Sequence, residues 1–162
     1  EDAAEALGSW SKGRHLGGLG RCGILSFNGN KILTTGGGGM LVTNNAEIAQ
    51  LARHISTTAK KPHKWRFEHD DVGMNARLPN INAALGVSQM HRLQLTLDRK
   101  AELHARYANA FKDCFGFSFL DKPDGSQSNF WLETIVLDEP DTSSLNHLLS
   151  SFWKNAKSPL FW

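Results

Sequence analysis

Lys31 stands between a short apolar run and four consecutive glycines, Gly36 to Gly39, within LSFNGNKILTTGGGGMLVT, residues 25–43. On spacing alone two readings are open. The plainer one is a solvated surface charge beside a flexible turn. A phosphate loop of the P-loop type is excluded, because its lysine follows its glycines and Lys31 precedes them. The chemical reading starts from the amine. Lysine forms a reversible imine with an aldehyde cofactor, of which pyridoxal phosphate is the common one. Such a lysine has to be partly desolvated, so that its amine can lose a proton near neutral pH. Glycines beside it let the backbone pass close to a flat ring or a phosphate.

An amine with that task needs a rigid frame. GILSF at 23–27 and GMLVT at 39–43 read as short strands that bracket Lys31. Asn44 or Asn45 can cap a following helix, with Glu47 in its first turn, Ile48, Leu51 and Ile55 on one face, and Arg53 and His54 in the last turn. Residues 57–80 read as irregular, with Pro62, Gly73 and Pro79. From Ile81 to about Phe111 the pattern is helical, as one long helix or two consecutive ones. Leu85, Met90, Leu93 and Leu97 share a side, Leu103, Tyr107 and Phe111 recur every four residues, and Gly116 ends the run. FWLETIVL at 130–137 reads as a strand. A last helix, capped at Ser143 or a neighbour, turns Leu145, Leu148, Leu149 and Phe152 inward. This mixed order suggests the end of one α/β layer followed by the start of a smaller α+β domain.

The composition is that of an ordinary globular chain: 162 residues, 40% hydrophobic, 21% charged, net charge +2. That balance carries no argument for nucleic acid, and no recognised nucleic-acid motif is present. No apolar stretch is long enough to span a bilayer, and no signal peptide opens the sequence. Cys22 and Cys114 lack paired-ligand spacing, so no metal site is expected, and they read as reduced thiols of a cytoplasmic protein. The opening EDAAEALGS has no initiator methionine and the closing KSPLFW carries apolar rings, which reads as part of something longer. The basic cluster KKPHKWR offers Lys60, Lys61, Lys64 and Arg66 to a diphosphate across a subunit interface, or is simply a solvated loop. Trp65 and Trp131 read as packing residues.

Three stretches, EDAAEALGS, LSFNGNKILTTGGGGMLVT and VGMNARLPNINAALGVSQM, together resemble the DegT/StrS-type sugar aminotransferases, in that family's order and spacing. The resemblance runs from Glu1 to at least Gln89 and more loosely beyond. It implies a pyridoxal-phosphate enzyme with a partial aspartate-aminotransferase-type α/β fold. Residues 1–80 would belong to the large cofactor-binding α/β domain, 81–115 to connecting long helices, and 116–162 to an incomplete small α+β domain. The implied reaction moves an amino group, usually from glutamate, to the 4-keto group of a nucleotide-linked sugar, in the cytoplasm and as a homo-oligomer, most simply a dimer.

Roles follow position by position. Lys31 is similar to the Schiff-base lysine, which also moves the proton between sugar carbon and cofactor carbon. Asp2 is similar to the carboxylate that pairs with the pyridine nitrogen and keeps the ring an electron acceptor. Glu5, where many relatives place His or Gln against the ring, is similar to a subgroup acting on 4-keto 6-deoxy N-acetylhexosamines. The glycine run is similar to that of the same subgroup, whose turn leaves room beside the ring for a bulky substrate. Ser26 matches a phosphate-binding serine, and Asn75 an asparagine that reaches the cofactor phosphate of the neighbouring subunit. His69 and Arg77 are candidates for substrate contact. Met74 and Ala76 depart from the family's usual GYNYRL, and replace two aromatic residues. Family members carry a long segment before the position of Glu1 and continue past PLFW. The alternative expectation is therefore a non-catalytic relative acting only as an oligomerising or binding module.

Overall fold

The computed structural model describes residues 1–139 and 142–156. It divides into two compact units, Glu1–Arg106 with Lys122–Leu132, and Tyr107–Asp121 with Glu133–Trp162. In the first unit β1 (Trp10–Ser11) pairs antiparallel with β2 (Arg14–His15) on one side and with β6 (Ser126–Gln127) on the other. The hairpin that brackets Lys31 is β3 (Gly23–Ser26) against β4 (Gly39–Val42), antiparallel, with Gly23 opposite Val42 and Ser26 opposite Gly39. Glycine is required at both ends of β3's register. A Cβ at Gly23 would lie 2.2 Å from the Gly17 carbonyl oxygen, and one at Gly39 would lie 2.5 Å from that of Leu25.

The chain start lies beside β3 in parallel, since Ile24 donates to the Glu1 carbonyl and accepts from the Ala3 amide. Ala3, Leu25, Phe27 and Leu33 form the buried cluster, with Ala6, Leu7 and Val42 packed against it. The core thus sits directly behind the stretch that carries Lys31.

Helix α1 (Ala46–Ser56) begins where the sequence places it. Asn45 Oδ1 accepts from the amides of Glu47 and Ile48 at 2.9 and 3.1 Å, which satisfies two of the first-turn donors. Its apolar face is only partly covered: Ile48 and Ile55 are half-buried and Leu51 is exposed.

The long helical stretch is two helices, α2 (Asn80–Met90) and α3 (Leu93–Phe111). Helix α2 starts after Pro79, whose fixed φ suits a helix entry. It is pinned to the segment just past Lys31 at three points. Asn82 Nδ2 donates to the Thr35 carbonyl at 2.6 Å, Gln89 Oε1 accepts from the Thr34 amide at 3.0 Å, and Gly86 admits the Thr35 methyl. Of the expected inward side, Leu93 and Leu97 are half-buried, whereas Leu85 and Met90 are exposed.

In the second unit β5 (Phe117–Phe119) and β7 (Ile135–Leu137) pair antiparallel. Gly116, at φ +88°, leads into β5, as a residue with no Cβ can. Tyr107, Phe111, Phe117 and Phe119 form an aromatic cluster with ring centroids 5.5 to 6.3 Å apart. Helix α4 is Thr142–Ala156. Two expectations are corrected here. The strand expected at 130–137 is confined to Ile135–Leu137. Upstream, the Ser128 hydroxyl and the Asn129 carboxamide capture the amides of Phe130 and Trp131, and Phe130 turns to φ +47°, so the backbone cannot stay extended. On α4, Leu148 is half-buried but Leu145, Leu149 and Phe152 are exposed. The closing KSPLFW lies outside the described residues.

Candidate active site

Lys31 leaves the turn after β3 with its amide donating to the Asn28 carbonyl. Its side chain is 13% exposed, so most of the stem is covered, while the Glu5 side chain it meets is 57% exposed. The Nζ is 3.1 Å from Glu5 Oε1 and 4.0 Å from the centroid of the Trp131 ring. A carboxylate and an aromatic face therefore converge on one amine from chain segments 26 and 100 residues away in sequence. The solvated-surface reading of Lys31 does not describe this environment.

Each partner is itself tied down. Trp131 Nε1 donates to the Asn30 carbonyl at 2.6 Å, so the indole is fixed to the backbone just before Lys31. Asn129 is buried and spends its carboxamide on three bonds. Its Nδ2 donates to the carbonyls of Glu5 (2.6 Å) and Leu7 (3.0 Å), and its Oδ1 accepts from the Trp131 amide (3.0 Å). Its own amide donates to Ser9 Oγ at 3.0 Å.

Asp2 lies next to β3, bridged to Ile24, and its Oδ1 accepts from the Ala4 amide at 3.2 Å. Among the described residues it has no ion-pair partner, which leaves its carboxylate open to a cationic ligand atom. Its neighbour Glu1 anchors the segment: the carboxylate accepts the amides of Gly17 (2.7 Å), Leu19 (2.9 Å) and Gly20 (3.1 Å). The Gly17 bond first, then those of Gly20 and Leu19, hold the Glu1 carboxyl below the ordinary range. Ser26, at the end of β3, is half-buried, and its Oγ accepts weakly from the Asn28 amide at 3.4 Å.

The other candidates lie on separate features. Asn75 is exposed, and its backbone bridges Thr57 beyond the end of α1. His69 is exposed, and its Nδ1–H donates to the Thr58 carbonyl at 2.6 Å. Arg77 lines a cavity of about 260 Å³ together with Gly37, Gly38, Gly39, Leu78 and Asn82. No described contact brings Asn75, His69 or Arg77 to Lys31. The glycine run is thereby partly explained within the chain. Gly36 (φ +80°) and Gly38 (φ +87°) take left-handed backbone, and Gly39 touches β3. Only Gly37 has open space around its Cα, and it faces the cavity that Arg77 lines.

The fold is part of the aminotransferase fold. The solved structure of Helicobacter pylori PseC, an aminotransferase involved in the biosynthesis of pseudoaminic acid, matches at 28% identity with a TM-score of 0.89. The match covers 94% of this chain and 42% of that one. The chain belongs to the DegT/DnrJ/EryC1/StrS aminotransferase family, whose model matches residues 1–157. EpsN of Bacillus subtilis (strain 168), whose name carries the words pyridoxal phosphate-dependent aminotransferase, is 42% identical over 138 residues, 85% of this chain and 35% of EpsN. GDP-perosamine synthase of Caulobacter vibrioides is 44% identical over 93 residues, 57% of this chain and 25% of that enzyme. The chain thus spans about a quarter to two fifths of the length of these relatives.

Two residues at the centre of the site, Asn129 and Trp131, carried no such role in the sequence. The available signal was local: an asparagine two residues before a tryptophan is the pattern of a side chain that captures the amide two positions on.

Proposed function

We propose that this chain provides the cofactor lysine and several cofactor contacts of a pyridoxal-phosphate aminotransferase. Its substrate is the 4-keto group of a nucleotide-linked 6-deoxy N-acetylhexosamine, and glutamate is the amino donor. The observation that carries the reading is the Lys31 side chain, mostly covered and held 3.1 Å from a half-open Glu5 carboxylate, in a sequence frame that belongs to this family. The residues present fit the cofactor. A mostly covered lysine suits its aldehyde, a carboxylate at Asp2 with no ion-pair partner among the described residues suits its ring nitrogen, and the Ser26 hydroxyl, with one weak bond among the described residues, suits its phosphate. When bound, pyridoxal phosphate supplies an electron sink that lets an adjacent carbon shed a proton.

The chain's own residues do the rest. Lys31 Nζ takes that proton from one carbon and returns it to another as general base and acid. Glu5 Oε1, 3.1 Å away, holds the amine between the two steps. Asn75 acts on the phosphate of a neighbouring copy in a homodimer, and Arg77 and His69 meet the substrate. Residues 1–80 serve as the cofactor-binding domain, 81–115 as its helical connection and 116–162 as part of the small domain. The setting is cytoplasmic, which suits the free thiols of Cys22 and Cys114. No helix among the described residues is long and apolar enough to cross a membrane.

The test is a visible absorbance spectrum of the chain with added pyridoxal phosphate, beside Lys31→Ala. A cofactor band in the parent chain that disappears in the variant supports the reading; identical spectra contradict it. A second reading, an oligomerising module without catalysis, is favoured by one observation. An apolar groove of about 300 Å³ runs between the hairpin and α2, lined by Leu25, Phe27, Leu33, Met40, Val87 and Met90. It predicts a stable oligomer in sedimentation with no cofactor band.

A further inference from the structure

We propose that Trp131 is a positioning residue for Lys31, and that Asn129 is the clasp that sets Trp131 and Glu5 on either side of the amine. The inference rests on the reading of Lys31 as the cofactor lysine and adds two residues to it. Nothing in the local sequence of Lys31 contains them.

Three observations carry it. The first is the amine's docking. Lys31 Nζ lies 4.0 Å from the Trp131 ring centroid and 3.1 Å from Glu5 Oε1. Its side chain is 13% exposed, so most of the lysine stem is covered where the ring contact is made, while the Glu5 carboxylate is open. The second is the fixing of the ring. Trp131 Nε1 donates to the Asn30 carbonyl at 2.6 Å, which ties the indole to the backbone just before Lys31. The bond orients the ring face toward the next residue, Lys31. The third is Asn129. One carboxamide holds the Glu5 carbonyl and the Trp131 amide at once. The backbones that carry the two walls of the dock are therefore joined through one side chain.

The backbone between the walls is consistent with that. Phe130 sits at φ +47°, a conformation that costs a residue with a Cβ about 1 kcal/mol. It separates Asn129 from Trp131 and stacks its own ring on His104 at 3.9 Å. The turn aims Asn129 and Trp131 at the site while Phe130 anchors to α3.

The dock restrains the amine's reactivity. An amine held between a ring face and a carboxylate has to leave both before it can attack a carbonyl carbon. Removing the ring therefore frees Lys31 to react faster with any small aldehyde.

The experiment is reductive methylation of the full chain with formaldehyde and cyanoborohydride, read lysine by lysine from peptide masses. Trp131→Met keeps side-chain bulk but removes the ring; Trp131→Phe keeps a ring face but loses the bond to Asn30. Lys31 should be modified about five- to thirtyfold faster in Trp131→Met than in the parent, the factor that a covered ring contact is worth. In Trp131→Phe the rate should fall between those of the parent and Trp131→Met, because a ring face remains while the bond that aims it is gone. Lys60, in a separate loop, should react equally in all three. Equal Lys31 rates in the three chains would overturn the proposal. So would parallel acceleration of Lys60, which makes Trp131 a packing residue only. Pyridoxal phosphate run in place of formaldehyde separates the two claims. If it leaves Lys31 unmodified while the formaldehyde ratios hold, the cofactor reading fails and the dock stands.

Discussion

Lys31 and Lys60 each hold an ammonium over an aromatic ring, at 4.0 Å from Trp131 and 3.7 Å from Phe67. By distance the loop lysine has the better contact. The surroundings reverse the ranking. Phe67 is 79% exposed, so water competes for its lysine, and the nearby Trp65 is equally open. Trp131 is tied to Asn30 and Asn129, and its lysine side chain is mostly covered. The same elementary attraction is a loose surface contact in one region and a built site in the other. The difference lies in burial and long-range anchoring, and not in residue type.

The largest break in that comparison should come from Asn129→Ala. It leaves the Glu5 and Leu7 carbonyls and the Trp131 amide without their partner, in a buried position. Urea denaturation should show a loss of about 2–4 kcal/mol. A loss under 1 kcal/mol, on the order of a neutral surface change, would mean that the clasp is not what holds the walls. Gly38→Ala comes next. Its φ of +87° and a Cβ position 2.8 Å from Leu78 Cδ1 give an expected cost of about 1–2 kcal/mol.

Gly37→Ala should stay within about 0.5 kcal/mol of the parent, because the position is open and its backbone ordinary. Gly37→Val then tests the room beside the cofactor ring that the family resemblance implies for the glycine run. Cofactor loading should weaken while stability holds, and unchanged loading would show that the cofactor does not approach there. The smallest effects belong to the loop. Phe67→Ala should change stability by about 0.5 kcal/mol or less, although it removes the shorter cation–ring contact.

An acid-sensitive pair joins the last turn of α1 to the loop. The His54 hydrogen bond to Asp70, at 2.6 Å, holds that carboxyl below its ordinary value of 3.8. A carboxyl lowered in the folded state stabilises above its unfolded value, and that contribution is lost as pH falls through the folded one. A melting-temperature series should therefore show a small decline below about pH 4 that Asp70→Asn removes.

How far the sequence carries is explained by the range of each interaction. Helix α1 was legible because its start depends on Asn45 and the two amides that follow within three residues. The hairpin was legible because β-branched and apolar runs flank a glycine turn. Lys31 and Glu5 were legible together only through a family frame, since nothing local links residues 26 positions apart. The strand expected from Phe130 was too long because two short polar side chains, Ser128 and Asn129, compete with the ladder for backbone amides. The inward faces of α2 and α4 were misjudged for another reason. Periodicity reports that a face is apolar and says nothing of what covers it. Trp131 reads as a packing residue in the sequence, and it does pack; its partner is an ammonium, which spacing does not reveal.

Lys31, and not the lysines of the basic loop, is the residue proposed to be chemically set apart. Borohydride reduction of the full chain with pyridoxal phosphate, followed by peptide mapping of every lysine, tests this most directly. A stable pyridoxyl adduct should concentrate on Lys31, with Lys60, Lys61 and Lys64 close to background. An adduct spread over the loop lysines, with Lys31 unmodified, would contradict it.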